Sequence, residues 1–126
     1  MTILGIGIDI VENQRIRTML DRHGERFLDR VFTEGEQEYC GRMRDPVPHY
    51  AARFAAKEAV AKAMGTGIGQ DVEFRDIDVT RAESGKPSIV LSGHGATTGE
   101  RMGVTQILIT LSHTEHYAVA HAMLIQ

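Results

Sequence analysis

Two carboxylates stand where an acid needs a reason, and they set the chemistry to look for. Asp9 lies inside the apolar run Thr2-Ile3-Leu4-Gly5-Ile6-Gly7-Ile8-Asp9-Ile10-Val11, where a charge must be offset by a partner. Strand alternation puts Leu4, Ile6, Ile8 and Ile10 on one face of a buried strand and Gly5, Gly7 and Asp9 on the other. The glycines leave room for a helix or ligand to come close. Asp9 is then either a ligand for a hard cation such as Mg²⁺ or an acceptor of backbone hydrogen bonds at the strand's end. Glu58 sits in the alanine-rich stretch 49–64, about 40° around a helix from Phe54 and from Lys62. It is either half of a Glu58–Lys62 pair, contributing about 0.2–0.5 kcal/mol, or part of a ligand site. The second reading draws on its direction, toward the loop Gly65-Thr66-Gly67-Ile68-Gly69, whose glycines admit a close ligand. One or two carboxylates completed by substrate phosphate commonly hold Mg²⁺.

Other motifs narrow the chemistry. The glycine loop follows a helix and has no Gly-Lys-Ser/Thr ending, so it is not a Walker phosphate loop. Gly5-Ile6-Gly7 lacks the third glycine of a dinucleotide fingerprint. Arg53, Lys57 and Lys62 give one helix three cations, suited to a phosphate-rich ligand or to a solvated face. The polar insertion Ser112-His113-Thr114-Glu115-His116-Tyr117 has neither zinc-ligand spacing nor a nucleophile elbow, and a structural loop is its alternative role. Arg15, Met19, Arg22 and Arg26 recur at i, i+4, i+7 and i+11, a basic stripe with an apolar centre. In an acidic chain this is either plain surface or a face for an acidic protein.

The elements that must position these residues follow from periodicity. A helix is expected over 12–28 and a second over 33–43, opened by a Thr33/Glu36 capping box. Asp45-Pro46-Val47-Pro48 breaks the chain before the long helix 49–64, which Gly65 closes. Ala56, Ala59, Val60 and Ala63 form its narrow core stripe. Strands are expected at 72–80 and 88–92, a helix at 94–102, and strands at 105–111 and 117–125. That order suggests an α+β fold rather than a doubly wound sheet.

The chain has 126 residues, the size of one domain over 1–126, and a formal net charge of −3, which argues against a general nucleic-acid binder. Its one cysteine, Cys40, rules out an internal disulfide and fits a reducing compartment. Cys40 reads as a bystander thiol. No apolar run approaches the roughly 20 residues of a membrane span, and the N-terminus lacks the features of a signal peptide.

Gly5-Ile6-Gly7-Ile8-Asp9-Ile10-Val11-Glu12, Arg53-Phe54-Ala55-Ala56-Lys57-Glu58-Ala59, Lys62-Ala63-Met64-Gly65-Thr66-Gly67, and Ser112-His113-Thr114 before Tyr117-Ala118 occur in this order. Together they resemble the small holo-acyl-carrier-protein synthases, the short branch of the 4′-phosphopantetheinyl transferases, across essentially the whole chain. The resemblance implies an α+β subunit with a mostly antiparallel sheet packed on the long helix, forming a homotrimer with active sites between subunits. It implies that Asp9 and Glu58 hold Mg²⁺, with coenzyme A as substrate and acyl carrier protein as partner. Larger two-half relatives carry another carboxylate at the position of Val11; the short branch has a water there. The resemblance also implies that Arg53, Lys62 and the loop Gly65, Thr66 and Gly67 contact nucleotide phosphates. Lys86, Pro87 and His113 would line the cleft, and Arg15, Met19, Arg22, Arg26, Phe27 and Arg30 would dock the carrier. Asp9, Glu58 and Lys62 would be catalytic, with Glu58 or a water on the metal as the base. The setting implied is cytoplasmic, in fatty acid biosynthesis, with no nucleic acid and no membrane. Two other readings use the same residues: a small Mg²⁺-dependent hydrolase of pyrophosphates, and a carrier-binding module without activity. The intact carboxylates and lysine weigh against the module.

Overall fold

The structure, a computed structural model, describes residues 1–126. Strand β1 (Ile3–Glu12) leads into helices α1 (Asn13–His23) and α2 (Glu25–Val31). The helix expected over 12–28 is therefore two. Gly24 divides them with a φ of 51°, a setting that costs glycine little and other residues more. Helix α3 (Glu34–Gly41) has the expected capping box: Thr33 Oγ1 accepts from the Glu36 N–H at 3.3 Å, and Glu36 Oε1 accepts from the Thr33 N–H at 2.8 Å. Helix α4 (Val47–Met64) starts at Val47 rather than 49. Pro48 fits its first turn, where no N–H needs a helical partner, and Asp45 accepts from the Val47 N–H at 3.2 Å.

Beyond α4 come strands β2 (Ile77–Arg81) and β3 (Pro87–Leu91), helix α5 (Gly93–Met102), and strands β4 (Gln106–His113) and β5 (Tyr117–Ile125). The strand expected from 72 begins only at Ile77, because Phe74–Asp76 forms a 3₁₀ turn. Asp76 Oδ2 fixes that turn by accepting from Glu73 N–H at 3.0 Å and Gly95 N–H at 3.1 Å. Strands β1, β5 and β4 form one antiparallel sheet in that order, and β2–β3 is a separate hairpin. The fold is α+β, with the antiparallel sheet packed on the long helix.

Small side chains decide how closely α4 lies on that sheet. Ala55, Ala56, Ala59 and Val60 from the helix are shut from solvent, as are Ala118, Ala120, Ala122 and Leu124 from β5. On β1 the approach is closer still. A Cβ on Gly5 would fall 2.0 Å from the Ala63 carbonyl oxygen, and one on Gly7 would fall 2.0 Å from that of Ala59. Backbone therefore meets backbone, and only glycine allows it.

A buried ion pair fixes α4 toward α3 and β2. Lys57 and Glu36 are both without solvent exposure and lie 2.8 Å apart. Lys57 also donates to the Phe74 carbonyl at 3.0 Å and to that of Ile77. Glu36 Oε2 accepts from the Val79 N–H at 2.7 Å. Each charge thus meets several partners, the condition under which burying a pair is tolerable. Burial lowers the proton affinity of Lys57, and the Glu36 carboxylate opposes that shift. Lys57 is accordingly neither part of a solvated face nor free for a ligand.

The outer face of β1 departs from expectation. Ile6, Ile8 and Ile10 are 62%, 61% and 62% exposed, and Leu108 and Tyr117 are exposed as well. The strand is buried only on its glycine face. Cys40 is fully buried, and desolvation pushes its thiol up to about 11. No helix is long and apolar enough to cross a membrane.

Because two glycines act by different means, they should respond differently to alanine. Gly7→Ala forces the helix off the strand and should cost about 3 kcal/mol in urea unfolding. Gly65 has a φ of 80° but open space around its Cβ direction, so Gly65→Ala should cost about 1–2 kcal/mol. Equal losses would contradict the close-contact account.

Candidate active site

The β1–α4 contact brings three of the expected residues together. Asp9 follows Gly7 on the inward face of β1, half-buried, where α4 passes. Lys62 reaches across from the last turn of α4, its Nζ 2.9 Å from Asp9 Oδ1 and 3.1 Å from the Ile8 carbonyl. Glu58 lies one helical turn before Lys62 and is half-buried. Burial pushes the Glu58 carboxyl above its ordinary value, and the negative charge of Asp9 adds to the shift; Lys62 and Arg15 oppose it. The two acids therefore feel one another, while two cations moderate the repulsion.

This donor set suits a hard divalent cation. It offers carboxylate oxygens without sulfur or imidazole, and the mutual repulsion that perturbs Glu58 is what such a charge relieves. A different acidic group, Glu73, Asp76 and His94, also has its ligand atoms within 4.8 Å of one another. There Asp76 is already committed to clamping two backbone N–H groups.

Just past Lys62, the glycine loop completes the helix end. The Gly65 N–H donates to the Lys62 carbonyl at 2.9 Å and the Gly67 N–H to the Ala61 carbonyl at 3.1 Å. Both glycines have positive φ, and nothing lies within 4 Å of a Cβ added to either. The loop's shape therefore comes from helix capping, and it stands open beside Lys62.

Arg53 does not join this group. Residues nine apart on a helix point about 180° from each other and are about 14 Å apart along its axis, so Arg53 and Lys62 leave α4 on opposite sides. Arg53 instead enters a cleft of about 600 Å³ with His49, Arg81, Lys86, Pro87 and His113. The expected cleft residues Lys86, Pro87 and His113 thus gather around Arg53 and away from Asp9. Burial lowers the proton affinity of His49, and the positive charges of Arg53, His113 and Arg81 add to that effect. His49 and Arg81 were not singled out in the sequence; His49 stands four residues before Arg53 on one helix face, a signal that was there to read, whereas nothing local ties Arg81 to either.

The basic stripe is interrupted by Gly24 rather than continuous. Met19, Arg26, Phe27 and Arg30 nevertheless border one hollow of about 250 Å³, together with His23. Phe27 is mostly buried and meets Phe32 edge-on at 5.8 Å. Arg15, on α1, stands over the Phe54 ring at 5.2 Å, and its charge acts on Glu58. Arg22 is exposed on α1 outside the hollow.

A family model described as the 4′-phosphopantetheinyl transferase superfamily matches residues 5–122, so the chain is a transferase of that class. A holo-[acyl-carrier-protein] synthase of Chlamydia pneumoniae is 46% identical over 123 residues, 98% of each chain. The crystal structure of the synthase from Neisseria meningitidis superposes with a TM-score of 0.92 at 34% identity, covering 99% of this chain and 100% of that one. The Helicobacter pylori synthase in complex with coenzyme A gives a TM-score of 0.86 at 30% identity, covering 95% and 99%. The chain belongs to the holo-[acyl-carrier-protein] synthase family.

The Glu58 environment makes a pH-dependent prediction. Glu58 holds its proton more tightly when folded, so its ionisation opposes the fold. Its contribution is fully favourable below the ordinary carboxylate value and is lost as pH rises through the raised one. In chelator, Glu58→Gln should raise the melting temperature at pH 7 and leave it nearly unchanged near pH 4. A variant less stable than the parent at pH 7 would contradict the repulsion described for Asp9 and Glu58.

Proposed function

We propose that the whole chain, 1–126, acts as one unit that transfers the 4′-phosphopantetheine group of coenzyme A to a serine of an apo acyl carrier protein. The products are holo carrier protein and adenosine 3′,5′-bisphosphate. The observation that carries this reading is the convergence of Asp9, Glu58 and Lys62 across the β1–α4 contact. Support comes from relatives that bear the synthase name and from the H. pylori neighbour's complex with coenzyme A.

In this reading Asp9 and Glu58 would hold Mg²⁺, which when bound would supply Lewis acidity and orientation for the pyrophosphate. Phosphoryl transfer demands mainly in-line positioning and charge stabilisation. The serine oxygen forms the new bond to the β-phosphorus, and the bond from that phosphorus to the nucleotide's phosphate breaks. Lys62 and the open Gly65, Thr66 and Gly67 loop stabilise charge on the departing side. The serine proton passes to water, since a carboxylate engaged with a cation is a weakened base. Arg15, Met19, Arg22, Arg26, Phe27 and Arg30 receive the acidic carrier: the hollow offers apolar contact amid positive charge.

The cleft of Arg53, Lys86, Pro87 and His113 takes the nucleotide's remaining phosphate. One protomer turns that cleft and Lys62 to opposite sides of α4, so we assign each complete site to two neighbouring subunits of a homotrimer. The apolar outer face of Ile6, Ile8 and Ile10 gives such an assembly a surface to bury. The reading puts the enzyme in the cytoplasm.

Incubation with coenzyme A, Mg²⁺ and an apo acyl carrier protein should add the phosphopantetheine mass to the carrier, read by mass spectrometry. No addition across varied carriers and metals would sink the proposal. Asp9→Ala and Glu58→Ala should each lower turnover by about a thousandfold or more, with the fold retained by circular dichroism. Shared sites make a further expectation. Glu58→Ala and Arg53→Ala proteins, each impaired alone, should regain activity when coassembled at equal amounts, to about a quarter of the parental sites. No recovery in verified mixed oligomers would place each site within one chain.

A further inference from the structure

The outer face of the three-stranded sheet carries one histidine in the middle of an otherwise uncharged surface. His121 of β5 lies between Ile8 of β1 and Thr110 of β4 in the register, with Val119 and Met123 on the same face to either side of it. It is half-buried, and Ile6, Ile8 and Ile10 beside it are exposed. No ion pair of the chain includes it. On β1 the first charge to share this face is Glu12, four residues and about 13 Å along the strand from Ile8. On β5 the other titratable group is Tyr117, which pairs with Glu12 at that same end. On β4 the face runs from Gln106 to Ser112 without an ionisable residue. Helix α4 packs on the opposite side of the sheet, against Gly5 and Gly7, so Asp9, Glu58 and Lys62 do not face His121.

We propose that His121 makes subunit assembly depend on pH: with a neutral imidazole the sheet's outer face buries against copies of itself, and protonation drives the copies apart. The inference rests on the shared-site trimer proposed above and names what regulates it. An uncharged apolar face suits a copy of itself, whereas the acidic carrier is served by the arginines of α1. Between such faces neutral imidazoles can satisfy one another, because one nitrogen donates and the other accepts. An imidazolium has two donors, no acceptor and a charge that each neighbouring copy repeats, and burying it unpaired is costly. Histidine is the side chain whose ordinary titration falls between pH 5 and 8, so mild acid is enough to change its state. Free protomers take up protons that assembled ones exclude. Assembly is therefore complete above the range in which free histidine titrates and is lost as pH falls through and below it. With one proton per protomer, the trimer association constant falls by up to about a thousandfold per pH unit there, and the half-dissociation concentration rises about thirtyfold. Sites that draw on two subunits lose activity in step.

Sedimentation of a dilution series at pH 8 and at pH 5.5 reads this dependence, with circular dichroism to confirm the fold. The parent's half-dissociation concentration should rise about thirtyfold or more between the two. His121→Gln keeps a donor and an acceptor but takes no charge. It should hold trimers equally at both pH values and transfer at the parental rate at pH 8. His121→Lys places the charge permanently and should leave folded monomers at pH 8. A parent as tightly assembled at pH 5.5 as at pH 8, or a glutamine variant that comes apart in acid as the parent does, would overturn the role of His121 and leave the trimer standing. A lysine variant assembled as tightly as the parent at pH 8 would do the same. Should His121→Lys fail to fold, or the parent unfold at pH 5.5, the remaining comparison decides. A parent that is monomeric at pH 8 would instead overturn the shared-site reading, and the role of His121 with it.

Discussion

Everything in this chain depends on how closely α4 lies on β1. Gly5 and Gly7 put bare backbone against the carbonyls of Ala59 and Ala63, and the alanines of β5 extend the same thin interface. That closeness sets the reach of Lys62 to Asp9 and the field that Glu58 feels. A larger residue at either glycine would move an entire helix and, with it, one carboxylate relative to the other. The Lys57–Glu36 pair acts on a different side of α4, tying it to α3 and to the backbone around Phe74 and Ile77. Close packing fixes the helix's distance from the sheet, and the ion pair fixes its rotation.

Rotation matters because α4 serves two regions. Its C-terminal turns face Asp9, whereas Arg53, nearer the N-terminus, faces Tyr39 and the β3–β4 side. A rigid helix of 18 residues can hold both with fixed geometry, although it cannot turn both toward the same point. The exposed isoleucine face and the divided cationic groups both fit the proposed trimer, in which neighbouring protomers would each supply part of a site.

Much of this was legible from residues alone, and the reason differs by element. Gly5 and Gly7 beside Asp9 signalled a cleared strand face, because side-chain alternation in a strand is strict. Thr33 with Glu36, and Gly65 after the alanine helix, are local capping signals that need no tertiary knowledge. The Gly24 break was not legible, since a lone glycine in a helical pattern is often tolerated. The 3₁₀ turn before β2 was missed because Asp76 is held by Gly95, far along the chain. Lys57 and Arg53 were the instructive cases. Cations spaced along a helix look alike in sequence, and only the partners Glu36 and Tyr39, brought by α3, separate a buried strut and a stacked guanidinium from the lysine that reaches Asp9. That Asp9 and Glu58 belong together required the β1–α4 register or the family resemblance; spacing offered no link.

Cys40 shows what the same packing does for a group with no part in the chemistry. A buried thiol whose proton affinity desolvation raises this far stays protonated at neutral pH, and it lies out of reach of solvent. The chain's single sulfhydryl is thus a silent reporter. An alkylating reagent would reach it only if α3 lifted from α4, so its labelling would report on that opening and on nothing at the surface.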